Sequence, residues 1–182
     1  MLALEFNPFP TLTTDRLQLR KLEMSDAPEV FAIRSDDRVN HFLDRPKANS
    51  IDDARSFIEK IQTYIKKNES AYWVITMKDH PKLVGTITLW NIVKEESKAE
   101  IGYELLPAYQ GKGIMQEALT AVLQFSFDVL KFKTIEAFTH SENGKSSSLL
   151  EKNNFKRDFA QEEKMRTEGT LDNLVIYYLT HD

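Results

Sequence analysis

Cysteine is absent from this chain of 182 residues. Its absence excludes disulfide bonds, thiolate nucleophiles and cysteine-ligated zinc together. No stretch of the sequence approaches the roughly 20 consecutive apolar residues of a membrane-spanning helix, and the first residues have no basic region followed by an apolar run. We therefore expect a cytoplasmic protein that does not bind a membrane.

The chain also lacks an excess of basic residues over acidic ones. The 24 lysines and arginines are outnumbered by 28 aspartates and glutamates, which gives a formal net charge of -4. Nucleic-acid binding usually needs a basic surface, so no nucleic-acid partner is expected. Long linkers, low-complexity segments and internal repeats are missing as well. With 41% hydrophobic residues the chain can bury a core, and we expect one domain over residues 1–182.

What the chain does contain is a series of short amphipathic segments. Alternation with a period of two predicts strands over residues 13–22 and 98–106. Further strand-like segments are residues 71–77 and 82–91, joined by a turn over residues 78–81, and residues 134–139 and 174–179. Helical spacing of apolar residues predicts helices that begin near residues 25, 50, 114 and 146. Ser50 is the expected cap of the second helix. Gly85, inside a strand, predicts a bulge or a close approach of two backbones.

The most informative segment joins the strand over 98–106 to the helix at Ile114. Pro107 ends the strand, and the loop from Gln110 to Gly113 contains two glycines. The first N–H groups of a helix have no partner inside it and attract anions such as a pyrophosphate, while glycines let phosphate oxygens approach the backbone. Lys112 adds a mobile positive charge. A tight turn that binds nothing explains these four residues equally well.

Spacing excludes two named phosphate loops. The pattern Gly-x-x-x-x-Gly-Lys-Ser/Thr needs four residues between its glycines, whereas Gly111 and Gly113 are separated by one. The dinucleotide pattern Gly-x-Gly-x-x-Gly lacks its third glycine, because residue 116 is glutamine.

The residues around this loop resemble the acetyl-CoA motif of the GNAT N-acetyltransferases, in the branch of the RimJ/RimL ribosomal-protein N-terminal acetyltransferases. The matching residues are Gly102, Tyr103, Leu105, Pro107, Tyr109, Gln110, Gly111, Lys112, Gly113, Met115, Glu117, Ala118 and Leu119. Met115 departs from the family, which has Gly or Ala there. Residues 12–20 are similar to the first strand of the branch, and residues 143–155 are similar to a later family segment in which Asn154 replaces the usual glycine.

This resemblance implies the fold, the reaction and the cofactor. The fold would be a single α+β or α/β domain with a mixed, mostly antiparallel central sheet, helices on both faces and a splayed strand pair that holds acetyl-CoA. Unpaired backbone groups at Leu105 and Leu106, at the end of the splayed strand, would bond the pantetheine arm. The acetyl group would pass from acetyl-CoA directly to a primary amine, without a covalent enzyme intermediate and without a metal. The cofactor-binding residues would be Leu105, Leu106, Gln110, Gly111, Lys112, Gly113, Ile114, Met115 and Asn143.

Three residues are candidates for catalysis. Glu100 and Glu104 fall on the same side of their strand, so either could accept the proton of the amine, although exposed glutamates on strands are often only solvated. Family members are similar in using a tyrosine near position 150 to protonate the departing sulfur, but Leu150 stands there. Members of the RimJ/RimL branch are similar in using a serine near this place as the proton donor. This resemblance implies Ser146 as the donor, with Asn143 oriented toward the pantetheine. Helix capping explains Asn143 and Ser146 equally well.

The acceptor stays open at this point. The branch resemblance favours the N-terminal α-amine of a protein, such as a ribosomal protein. A small amine such as a polyamine, an amino acid or an antibiotic is the alternative. A non-catalytic sensor that binds CoA or acetyl-CoA is a third possibility, suggested by the missing tyrosine and by Met115. A monomer and a homodimer are both compatible with the sequence.

Overall fold

The computed structural model describes residues 2–181, so Met1 and Asp182 of the predicted domain lie outside the described residues. Within that range eight strands form one sheet: β1 (Leu12–Thr13), β2 (Leu17–Lys21), β3 (Ala71–Met77), β4 (His80–Val93), β5 (Lys98–Leu105), β6 (Thr134–His140), β7 (Lys156–Arg157) and β8 (Leu174–Thr180). The same residues form six α-helices: α1 (Ala27–Ser35), α2 (Asp37–Asn40), α3 (Ile51–Lys66), α4 (Ile114–Asp128), α5 (Gly144–Lys152) and α6 (Phe159–Thr167).

The sheet is mixed and mostly antiparallel. Its strands are ordered β1-β2-β3-β4-β5-β6-β8-β7, and β5 and β6 are its parallel neighbours. β5 pairs with β4 as far as Leu105, whereas its pairing with β6 ends where Glu100 lies opposite Glu136. The second half of β5 therefore parts from β6 and leaves a split in the sheet. This confirms the predicted fold class, including its splayed strand pair.

Helices cover both faces of the sheet. Consecutive residues of a strand point to opposite faces, so Tyr72 and Trp73 of β3 identify the two sides. The Tyr72 ring packs against Phe57 of α3 and the Trp73 ring against Phe125 of α4, with centroids 6.0 Å apart in each pair. Thus α3, with α1 beside it, lies on one face and α4 on the other. Within residues 2–181 we find no helix whose length and apolar character would let it cross a membrane.

Local sequence signals account for several element ends. The Ser50 hydroxyl accepts a hydrogen bond from the Asp53 N–H at 3.1 Å and caps α3, as predicted. Asn154, just after α5, adopts a left-handed φ of 64°. Gly85 marks the predicted close approach, because a Cβ there would lie 2.6 Å from the carbonyl oxygen of Glu104.

Two predicted strands have different limits. The strand expected over residues 13–22 is divided into β1 and β2, which pair with each other. β4 begins at His80, inside the expected turn over residues 78–81, and continues to Val93. The hairpin between β3 and β4 is therefore tighter than the Lys-Asp-His-Pro sequence suggests.

α6 lies in a segment for which the sequence predicts no element. Its position is fixed by Glu162, whose side chain is fully buried. The Glu162 carboxylate accepts hydrogen bonds from Arg157 at 2.8 Å, from Arg166 at 3.0 Å and from the backbone N–H of Ile176 in β8 at 2.9 Å. An ion-pair network, and not an apolar stripe, thus attaches this helix to the sheet.

Candidate active site

The glycine loop lies between the end of β5 and the start of α4. Gly111 and Gly113 have φ of 73° and 74°, in the left-handed region that glycine adopts at little cost. A Cβ on Gly111 would meet nothing within 4 Å, and a Cβ on Gly113 would meet only an Arg16 guanidinium nitrogen, at 3.5 Å. Residues 110–113 are exposed, so the loop offers an open face of backbone.

The start of α4 supplies partial positive charge to this face. The first N–H groups of a helix have no intrahelical acceptor, and the helix dipole adds to their attraction for an anion. Ile114 and Met115 are only 2% and 9% exposed. The Met115 side chain therefore packs in the core, and its departure from the family pattern leaves the exposed loop face unchanged. Lys112 is exposed, with its Nζ 5.8 Å from the centre of the Tyr109 ring.

The N-terminal segment braces this loop from a position far away in the sequence. The Arg16 guanidinium donates to the Lys112 carbonyl at 3.0 Å and to the Glu117 carboxylate at 2.6 Å. Glu117 also accepts from the Thr14 hydroxyl and from the Arg16 N–H, at 2.5 and 2.9 Å. Thr14, Arg16 and Glu117 belong to the matched motifs, but the pattern does not reveal that they meet.

At the end of β5, several backbone groups of Leu105 and Leu106 are hydrogen-bonded within the protein, contrary to the expectation that they are free to bind the cofactor. The Leu106 N–H donates to the Val84 carbonyl at 2.9 Å, and the Leu106 carbonyl accepts from Tyr109 at 2.9 Å. The Leu105 carbonyl accepts from the Gln110 side-chain amide at 3.0 Å. The expectation that both residues present unpaired backbone is therefore wrong for these groups. Strand β4 binds the Leu106 N–H, and the turn and loop that follow β5 fold back on the two carbonyls. Their assignment to the cofactor stays a prediction.

The unpaired side of β5 lies earlier, after Glu100, where pairing with β6 has ended. Here Tyr103 reaches from β5 to α5, and its hydroxyl lies 2.7 Å from the Ser146 hydroxyl. Burial raises the pKa of Tyr103 to about 12, so the phenol stays protonated at neutral pH. The sequence does not identify Tyr103 as a catalytic candidate, although its place in the matched Gly-Tyr motif is a usable signal.

Asn143 and Ser146 both belong to the start of α5. The Asn143 side-chain oxygen accepts a hydrogen bond from the Ser146 N–H at 3.2 Å, so Asn143 caps the helix. The capping interpretation of Asn143 is confirmed, whereas its contact with pantetheine stays a prediction. Leu150 is completely buried, and the position at which the family's tyrosine was sought therefore belongs to the core.

The two candidate glutamates have different environments. Glu104 has a side chain only 8% exposed, and its carboxylate accepts from Arg45 at 2.5 Å. Within the described range 2–181, the Glu100 carboxylate has only a long hydrogen bond from Asn91, at 3.4 Å. Burial raises the pKa of Glu100 to about 7, with a smaller contribution from the negative charge of Glu136 that acts against the hydrogen bond from Asn91. Glu100 thus has the properties of a general base near neutral pH.

A pocket of about 520 Å³ lies on the α3 face of the sheet. Its floor is built by strand residues that the register places side by side, with Gly102 opposite Thr88 and Glu104 opposite Thr86. Its walls come from α1, α3 and the segment after α2, and they include Arg34, Leu43, Arg45, Phe57, Ile61 and Tyr64. Glu100 adjoins this pocket, because its strand neighbour Trp90 and its hydrogen-bond partner Asn91 both line it.

Metal chemistry has no evident site in the part of the chain that the structure describes. Among residues 2–181 no group of three or more His, Asp or Glu side chains is placed to hold a metal ion.

Comparison with known proteins identifies the family. Residues 16–156 match the family model described as "Acetyltransferase (GNAT) domain". The uncharacterized N-acetyltransferase YoaA of Bacillus subtilis (strain 168) is 31% identical over 169 residues, which cover 93% of this chain and 96% of YoaA. The [ribosomal protein uS5]-alanine N-acetyltransferase of Escherichia coli (strain K12) is 26% identical over 181 residues, 95% of this chain and 92% of the enzyme.

A solved structure gives the same fold. RimL, the ribosomal L7/L12 α-N-protein acetyltransferase in complex with coenzyme A, superposes with a TM-score of 0.81 at 17% sequence identity. The superposition covers 95% of this chain and 99% of the RimL chain. Together with the family match over most of the chain, this likeness confirms the resemblance seen in the sequence. The chain therefore belongs to the GNAT acetyltransferase family and is an N-acetyltransferase.

Proposed function

We propose that this enzyme transfers the acetyl group of acetyl-CoA to the α-amine of a protein N-terminus. The observation that carries the proposal is the position of Glu100, a poorly solvated carboxylate at the point where β5 and β6 part and the pocket adjoins. A donor in the split would present its thioester to an amine in the pocket. The E. coli relative, which acetylates an alanine of ribosomal protein uS5 by its name, supports a protein acceptor.

The donor is held in two places in this proposal. Residues 110–115 bind the pyrophosphate through backbone N–H groups at the start of α4, with Lys112 as a mobile cation. The pantetheine arm lies along the unpaired side of β5, where strand-like hydrogen bonds are available beyond Glu100. Leu105, Leu106 and Asn143 lie at the edges of this path.

The reaction is direct acyl transfer. The amine nitrogen attacks the thioester carbonyl carbon, the carbon–sulfur bond breaks, and an amide and a CoA thiolate form. Glu100 accepts the amine proton, directly or through one water molecule. Because a free α-amine has a pKa near about 8, an appreciable fraction is neutral at cellular pH and modest help is sufficient. The thiolate is protonated through Ser146 and Tyr103, whose hydroxyls lie 2.7 Å apart. Solvent water restores the proton to this pair, while Glu100 releases the amine proton to solvent.

Thiol release from acetyl-CoA tests the proposal. Peptides that share one sequence, with either a free or a chemically blocked N-terminus, are compared with small amines that include a polyamine and amino acids. We expect release with the free peptide and none with the blocked one. Thiol release with small amines alone would contradict a protein acceptor and favour a small-molecule acetyltransferase. Binding of acetyl-CoA without any thiol release would favour a non-catalytic sensor. The cytoplasmic location and the choice between monomer and homodimer stay predictions.

A further inference from the structure

Arg34 is a cation in the pocket that forms no ion pair with a carboxylate among residues 2–181. It extends from α1 into the pocket, and its guanidinium carbon lies 3.8 Å from the centre of the Phe57 ring. The nearby carboxylate of Glu104 is bonded to Arg45 instead. Burial lowers the pKa of Arg34, and the positive charge of Arg45 lowers it further, although Glu104 acts in the opposite direction. The pocket therefore places two guanidinium groups near one carboxylate, which is bonded to Arg45.

The charge of the pocket differs in sign from that of the whole chain. Three basic side chains line it, from Arg34, Arg45 and Lys60, against two acidic ones, from Glu69 and Glu104. Lys60 and Glu69 are both exposed at the rim. The inner part of the pocket therefore holds Arg34 and Arg45 against Glu104, with Glu100 beside it. The chain as a whole has a formal net charge of -4, so a positive excess in this pocket is a local feature.

Ser70 provides a second, independent observation. It lines the same pocket and is only 5% exposed. Its hydroxyl has no hydrogen-bond partner among residues 2–181. A buried hydroxyl without a partner costs free energy, and a ligand in the pocket would supply the missing bond.

We propose that the acceptor amine carries an anionic group, such as a carboxylate, which Arg34 binds with Arg45 and Ser70 beside it. This inference rests on the proposed function, because it assigns the pocket to the acceptor. The anionic group would be held against the α1 and α3 wall, while the amine lies toward Glu100 and the split. A carboxylate on a small amino acid and an acidic side chain near a protein N-terminus share this chemistry.

Paired acceptors test the inference and separate these two sources. One pair is β-alanine and β-alanine amide, and the other is two peptides that differ only in glutamate or glutamine at the second residue. We expect the anionic member of at least one pair to have a kcat/KM higher by about tenfold or more, as for a hydrogen bond to a charged group. Equal values within both pairs would overturn the inference.

Variants assign the preference to Arg34. Arg34→Gln should abolish it, so that the two members of a pair become equal acceptors, while the KM for acetyl-CoA changes little. Arg34→Lys should keep part of the preference. Arg55→Gln is the matched control, because Arg55 lies on α3, is paired with the exposed Asp52 and does not line the pocket. A preference that persists in Arg34→Gln would contradict the inference.

A binding measurement without turnover separates the failure of the proposed function from the failure of the anion site. If no amine is acetylated, the proposed function fails, and the anion site is then judged by calorimetric titration of glutarate into the enzyme saturated with CoA. Binding of glutarate that weakens about tenfold or more in Arg34→Gln, but not in Arg55→Gln, would support the site. Equal binding by the three proteins, or no binding to the wild type, would overturn it.

Discussion

Glu100 and Glu104 lie on the same face of β5, two pleats apart, and have opposite environments. Glu104 is held by Arg45, whereas Glu100 is poorly solvated and has a long hydrogen bond from Asn91. The Glu104 carboxylate is occupied by its hydrogen bond from Arg45, so the environment selects Glu100 for the proton transfer. The sequence places both residues on one face but does not distinguish them, since Arg45 comes from a segment far from β5.

Glu100→Gln tests this selection by its effect on activity. We expect kcat to fall by about 100-fold or more, the usual contribution of a general base. In the wild type, log kcat should rise with pH up to the Glu100 pKa of about 7 and then level off, and this limb should vanish in the variant. A pH–rate profile of both proteins is the measurement. A wild-type profile that is kept unchanged in Glu100→Gln would contradict the assignment.

The same variant has a stability effect of known sign. The folded-state pKa of Glu100, about 7, lies above the unfolded value. The charged form is therefore penalised in the native state, and the penalty is absent below about pH 4, grows between pH 4 and 7 and is complete above pH 7. Glu100→Gln should stabilise the protein by roughly 2 kcal/mol at alkaline pH and by almost nothing at about pH 4.

Glu104→Gln is the matched control in urea unfolding. It leaves the partly buried Arg45 without its carboxylate, so we expect it to destabilise the protein by roughly 3 kcal/mol at neutral pH. Effects of the same sign in the two variants would show that the environments of Glu100 and Glu104 are not as described.

The hydrogen bond between Tyr103 and Ser146 gives another prediction at the scale of single residues. If the two hydroxyls protonate the sulfur together, Ser146→Ala and Tyr103→Phe should each lower kcat by about 100-fold while the KM for acetyl-CoA changes little. The double variant should be hardly worse than either single one, because the groups act as a unit. Ser148→Ala, on the exposed side of α5, is the control. If the activation free energies lost in the two single variants add up in the double variant, or if kcat falls no further than in Ser148→Ala, the pair has only a structural role.

At the scale of elements, the sequence predicts best those segments whose apolar pattern matches their burial. β6 alternates buried and partly buried residues along its whole length, and β5 does so over most of its length. α3 begins at the predicted cap, Ser50. These elements are determined by local periodicity and capping, which can be read from one sequence.

α6 was missed because its stabilisation is not local. Its residues lack an apolar stripe, and the buried Glu162 carboxylate is held by hydrogen bonds from Arg157, Arg166 and the backbone of Ile176. Two weak signals bracket the helix. The Asp158 side chain caps its start, and Gly169 follows its end with a left-handed φ of 69°. Without an apolar face these signals do not predict a helix, since the ion pair that holds it depends on the folded chain.

Glu162→Gln tests the role of this buried ion pair. Burial raises the pKa of Glu162, but the hydrogen bonds from Arg157, Ile176 and Arg166 outweigh it and lower the pKa overall. The stabilisation is therefore present above the ordinary pKa of a glutamate and lost as the pH falls through the lowered value. We expect Glu162→Gln to cost roughly 3 kcal/mol in urea unfolding at neutral pH, and less at acid pH. The exposed neighbour Glu163→Gln is the control, and equal losses would contradict the network.

At the scale of the whole molecule, the donor and acceptor regions come from different parts of the chain. The loop, the split and α5 follow one another between residues 98 and 152, so a family motif predicts them together. The pocket combines α1, α3, β3, β4 and β5, and its lining residues carry no motif. Arg34, Ser70 and Arg45 meet only because the sheet and the helices pack, which is why the sequence predicts the donor side and leaves the acceptor side open.

The central claim is that the split and the glycine loop form one acetyl-CoA site, and calorimetric titration of acetyl-CoA into two glycine variants tests it most directly. Gly113 and Gly169 have nearly the same left-handed φ, 74° and 69°, so alanine should cost each a similar free energy of unfolding, about 1 kcal/mol. Only Gly113→Ala places a methyl group on the loop, and we predict that it weakens acetyl-CoA binding by about tenfold or more while Gly169→Ala binds like the wild type. Equal affinities in the three proteins would contradict the account.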